Sequence, residues 1–73
     1  MLKKGFQIDL EDSLTYPSAK VICSCIENYA ISSGEKLDFV STQKPITFRL
    51  NNVLYIAGIS MMRGGYYIHC KEN

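Results

Sequence analysis

The chain is short of nearly everything that announces a reaction: it has one histidine, three cysteines and eight basic against seven acidic side chains in 73 residues. Three cysteines, Cys23, Cys25 and Cys70, are an odd number and too few for a disulfide framework. They suit a reducing compartment, so the expected location is the cytoplasm. No apolar run approaches the roughly 20 residues that span a bilayer; the longest, Val53 to Ile59, includes a glycine. No membrane association is expected. Met1-Leu2-Lys3-Lys4 has the charge of a secretory leader, but Gln7, Asp9, Glu11 and Asp12 interrupt any apolar segment behind it. A net charge of +1 leaves no surplus of Lys and Arg to neutralise a row of phosphates. Repeats, low-complexity tracts and linkers are lacking too, and the whole of 1–73 reads as one domain.

What the chain does have is patterning. A domain this small buries only about 60% of the surface of its unfolded chain, so the apolar residues must be well placed. Phe6, Ile8 and Leu10 alternate with Gln7, Asp9 and Glu11, the period of a half-buried strand or extended arm. Asp12 to Ser18 reads as a helix entry. Pro17 holds Tyr16 extended and suits a first turn, with Thr15 or Ser18 available as cap. At 100° per residue Ala19, Ile22, Cys25, Ile26, Tyr29 and Ala30 fall on one half of the helix, Val21 sits at its margin, and Lys20, Ser24, Glu27 and Asn28 fall opposite. Gly34 ends the helix by taking the left-handed position.

Beyond Gly34 the period becomes two. Leu37 and Phe39 mark one strand, Pro45 interrupts, and Ile46, Phe48 and Leu50 mark the next. Asn51-Asn52 is a two-residue hairpin turn, because asparagine tolerates positive φ. That turn sets Leu50 opposite Val53, Phe48 opposite Tyr55 and Ile46 opposite Ala57. A second turn around Met62-Arg63-Gly64-Gly65 sets Ile59 opposite Ile68 and Ala57 opposite Cys70. Both hairpins choose the same inner face. The fold class is therefore α+β: one amphipathic helix on one face of a three- to four-stranded antiparallel meander, with an N-terminal strand as a possible addition.

A single helix cannot cover both faces. By alternation the outer face carries Thr47, Arg49, Leu54, Ile56, Ser60, Tyr67, His69 and Lys71. Leu54, Ile56 and Tyr67 give it an apolar share, and an exposed apolar area marks a contact site more often than it is accidental. The candidate interaction face is Arg49, Leu54, Ile56, Tyr67, His69 and Lys71. The expected function is a non-enzymatic interaction or accessory module, whose partner is another protein or a second copy of the chain, engaged through the open face or an exposed edge strand. The alternative is weak single-stranded nucleic-acid binding through Arg49, Tyr67, His69 and Lys71, since arginine and aromatic side chains on open sheets bind single strands. One Arg63-Gly64-Gly65 does not carry that alternative alone; a glycine-rich turn explains it.

Chemistry finds less support. Cys23 and Cys25 lie two apart on a helix and point about 200° away from each other, so they share neither a metal nor an unstrained disulfide. His69 and Cys70 are neighbours on a strand and point to opposite faces. His69 has no recognisable nucleophile, base or oxyanion donors beside it, and Asp38 is an ordinary surface carboxylate. No enzyme activity, metal or cofactor is expected.

Tyr16-Pro17-Ser18, Ile26-Glu27, Gly34, Pro45-Ile46-Thr47-Phe48, Tyr55, Arg63-Gly64-Gly65-Tyr66 and Cys70-Lys71-Glu72 together resemble a family of short bacterial proteins known only as a domain of unknown function. The resemblance runs from about Phe6 to Glu72. It implies a bacterial, cytoplasmic, single-domain protein and brings no catalytic or binding residues with it.

Overall fold

A computed structural model describes residues 5–10 and 14–73. Met1 to Lys4, Glu11 and the Asp12-Ser13 start of the helix entry lie outside the described residues. The elements are β1 (Gly5–Asp9), α1 (Ala19–Ser33), β2 (Leu37–Ser41), β3 (Ile46–Leu50), β4 (Val53–Met62) and β5 (Gly65–Glu72). They form one helix against a single antiparallel sheet ordered β1-β5-β4-β3-β2. The α+β expectation holds, with five strands in place of three or four. The extra strand is β1, which pairs along β5 from Gly5 opposite Lys71 to Asp9 opposite Tyr67.

The helix begins where its cap allows. Ser18 is extended, at φ −77° and ψ 166°, and its hydroxyl accepts a hydrogen bond from the Val21 N–H at 3.3 Å. Of the two caps the sequence offered, Ser18 is used. Gly34 closes the other end at φ +69°. The Glu35 N–H then reaches back to the Ala30 carbonyl at 3.0 Å, the six-to-one bond that satisfies a helix C-terminus. Lys36 follows, and Asn51 holds it twice: the Asn51 N–H donates to the Lys36 carbonyl at 2.8 Å, and the Lys36 N–H donates to Asn51 Oδ1 at 3.0 Å. The start of β2 is thereby tied to the β3–β4 turn.

Both hairpins adopt the expected registers. Asn51 and Asn52 have φ of 52° and 68°, positive at both central positions as a primed turn requires. Leu50, Phe48 and Ile46 face Val53, Tyr55 and Ala57. Across β4 and β5, Ile59 faces Ile68 and Ala57 faces Cys70. The second loop is tighter than expected: Met62 pairs with Gly65, leaving Arg63-Gly64 as the turn, with Gly64 at φ +97°.

The core lies between α1 and the inner face. Ile22, Ile26 and Ala30 meet Ile46, Phe48, Leu50, Tyr55, Ala57, Ile68 and Cys70, all buried. Three buried positions at spacing four make a narrow stripe, so Cys25, Tyr29 and Cys23 flank it half-buried while Val21 is 44% exposed. Aromatic rings bridge the sheet from edge to edge. Tyr29 stacks on Phe6 at 4.7 Å, Phe6 meets Tyr55 at 5.2 Å, Tyr55 stacks on Phe48 at 5.6 Å, and Phe48 meets Phe39 at 6.5 Å. Offset and edge-to-face ring pairs add about 0.5–1.5 kcal/mol each beyond area burial. This chain of rings fastens β1 to the rest of the domain.

Candidate functional site

The outer face is built by the alternate residues of the same strands that make the core. Thr47 and Arg49 stand on β3, Leu54, Ile56, Gly58 and Ser60 on β4, and Tyr67, His69 and Lys71 on β5. The register sets Arg49 beside Leu54, Ile56 beside Lys71, Gly58 beside His69 and Ser60 beside Tyr67. All six candidate residues, Arg49, Leu54, Ile56, Tyr67, His69 and Lys71, therefore share one surface. Asp38 joins them at the far side, directly across from Arg49. Among the described residues no element crosses this face.

Exposure is less than alternation alone suggests. Arg49 and Lys71 are exposed, but Leu54, Ile56, Tyr67 and His69 are half-buried. Large neighbours on adjacent strands screen one another, and His69 shows how. Its ring lies over Gly58, so close that a Cβ on Gly58 would stand 2.7 Å from Nε2 and 2.9 Å from Cε1. Glycine is needed here for that close approach. The Tyr67 ring leans toward His69 at 6.4 Å. Nδ1 of His69 is shielded from solvent and has no hydrogen-bond partner among the described residues. A shallow depression of about 480 Å³ opens beside these rings, lined by Gly5, Gln7, Ser60, Tyr67, His69 and Lys71.

The larger concavity lies elsewhere. A groove of about 810 Å³ runs between the flank of α1 and the free edge of β1, with Ile8, Leu10, Tyr16, Val21, Cys25 and Tyr29 in its walls. Tyr16, at the helix entry, packs edge-on against Tyr66 at 5.3 Å. Lys44 Nζ sits 4.3 Å over the Tyr16 ring and donates to the Pro17 carbonyl at 3.3 Å. Only side-chain alternation was available to find a site in the sequence, and a groove formed by residues remote in the chain gives no such signal.

Cysteine placement follows the expected geometry. None of the three forms a disulfide. Cys70 is buried inward, and desolvation pushes its thiol up to about 12. Burial, and then the charge of Glu27, also raises Cys23, whose thiol lies 3.8 Å from the Thr42 carbonyl. Neither is a poised thiolate. Among the described residues no three His, Cys, Asp or Glu side chains cluster as metal ligands, and no helix is long and apolar enough to cross a membrane.

Fold and surface together define a small α+β domain with one covered and one open sheet face. A family model described as Domain of unknown function (DUF4318) matches residues 3–73, and the chain belongs to that family. No curated protein and no solved structure matches it.

Proposed function

We propose that the chain is a non-enzymatic protein-interaction or accessory domain that works in the cytoplasm, with the outer sheet face as its contact surface. The supporting observation is that Leu54 and Ile56, beside Arg49 and Lys71, share with His69 and Tyr67 a face that no described element covers. Half-buried apolar groups flanked by exposed charges have the make-up of an interface core and rim. The reducing setting is supported by the cysteine count, three being odd and too few for a disulfide framework.

A second reading, single-stranded nucleic-acid binding, is favoured by one observation: Arg49, Tyr67, His69 and Lys71 share that face. Against it stands the half-burial of both rings, which limits base stacking. The two readings separate by experiment. Affinity capture from the native host should recover a partner with the wild-type chain and lose it with Ile56→Asp, while the circular dichroism of the variant stays native. Equal capture by both proteins overturns the outer face as the contact surface. A labelled oligonucleotide that binds at low salt and is released with rising salt establishes the second reading instead, since phosphate contacts weaken steeply with salt.

A further inference from the structure

The sheet has two edges, and only one is protected. At β2 the register shifts between Phe39 and Ser41, leaving a bulge at Val40. Bulges of this kind interrupt pairing and guard an edge. At the opposite edge β1 pairs with β5 over five consecutive residues without a shift. Gly5–Asp9 contains no proline, no lysine, no bulge and no inward-pointing charge, and its one charged side chain, Asp9, stands outward at the strand's end. The groove of about 810 Å³ meets this edge at Ile8 and Asp9.

We propose that β1 pairs antiparallel with β1 of a second copy of the chain, about a twofold axis at Gln7, joining two five-stranded sheets into one. This rests on the interaction-domain reading above but uses a different surface. The strand is complementary to itself in this register. Phe6 and Ile8 are inward residues, opposite Cys70 and Ile68 of β5, while Gly5, Gln7 and Asp9 point outward. Centred on Gln7, each Phe6 meets Ile8 of the other copy on the inner side, an aromatic-aliphatic pair of the stabilising kind. On the outer side Gln7 meets Gln7, and Asp9 meets Gly5. The two Asp9 carboxylates end up four residues apart along the strand, roughly 14 Å, beyond the ~8–10 Å screening length at moderate salt. A register centred on Asp9 would set the carboxylates face to face, and an odd shift would set inward against outward residues. A twofold axis normal to the sheet keeps both helices on the same side. Each groove then opens toward the other copy, and the α1 flank facing it has Val21, Ser24, Cys25, Asn28 and Ser32 with Lys20 as its one charge.

Charge swaps at the axis test this directly, because Gln7 is exposed and its substitution leaves the monomer core alone. Sedimentation of the wild-type chain over a wide concentration range should show a reversible dimer. Gln7→Lys and Gln7→Glu should each weaken it about two- to fivefold by placing like charges directly opposite, and an equimolar mixture of the two should recover tight heterodimers. Val21→Glu, in the groove wall, should weaken it about tenfold, with native circular dichroism. A wild-type chain that stays monomeric overturns the proposal, as does a dimer that the Gln7 and Val21 variants leave unchanged. If Ile56→Asp alone dissolves the dimer, self-association runs through the outer face: the edge proposal fails and the outer-face reading stands. If Ile56→Asp leaves both dimer and captured partner intact while Gln7→Lys disturbs the dimer, the outcome is the reverse.

Discussion

The two faces of β3, β4 and β5 come from the same strands and alternate residue by residue, yet they are different materials. On the inner face Phe48 and Ile68 are 0% exposed and Ile46 is 1% exposed, each locked against α1 or its own neighbours. The outer face has Ile56 and Leu54 only half-buried, a histidine with a shielded, unpartnered nitrogen, and a glycine that must stay a glycine. The inner face is almost wholly apolar among the described residues, and it carries the stability. The outer face holds polar and apolar groups side by side with no described element over it, and it is where sequence change is cheap for the fold.

Substitution is the strongest way to break that contrast. Phe48→Ala removes a fully buried ring that touches Tyr55 and Phe39, and should cost about 3–5 kcal/mol in denaturant unfolding, enough to unfold a domain of this size. Ile56→Asp, on the same sheet but the other face, should leave a cooperative native transition. Equal losses for the two would mean that the faces do not differ as described.

Alkaline titration probes the inner face through Cys70. Its folded pKa is raised to about 12, above the ~8.5 of an unfolded thiol. The unfolded chain therefore releases its proton first, and the stability contributed by the buried thiol is complete below pH ~8.5 and is lost as pH climbs toward 12. The slope approaches about 1.4 kcal/mol per pH unit in that window. Tyr55 and Cys23 are shifted upward as well, chiefly by burial, and act in the same direction. Cys70→Ala should be less stable at neutral pH and flatter above pH 9. A variant with the wild-type slope would remove Cys70 from this account.

The smallest effect sharpens the outer face. Gly58→Ala should cost about 1–3 kcal/mol, the range for overpacking, because its methyl group meets the His69 ring. In a His69→Ala background the same change should cost nearly nothing, as alanine suits a strand better than glycine. A full penalty in both backgrounds would place the constraint in the backbone instead of the ring.

Much of this was legible in the residues because strands obey a period of two. With Asn51-Asn52 as a turn, Phe48 must face Tyr55, and the same count through the second hairpin sets Gly58 beside His69. Ser18 and Gly34 bounded the helix by local chemistry alone. The place of β1 was not legible. Alternation at Phe6 and Ile8 shows that the segment is extended but says nothing of its neighbour, and pairing with β5 joins residues more than fifty positions apart. The groove was not legible either, because no local pattern sets β1 and the helix entry against the α1 flank. Nor was Asn51 as the clamp on Lys36, fifteen positions away.

The sequence by itself determined the elements, the two hairpin registers and which side chains point inward, since each depends on spacing, turn conformation or a cap within a few residues. Tertiary structure alone decided that β1 closes the sheet at β5, that one edge is bulged and the other open, and how far the outer-face residues are screened. Those properties depend on packing between segments that no local pattern connects.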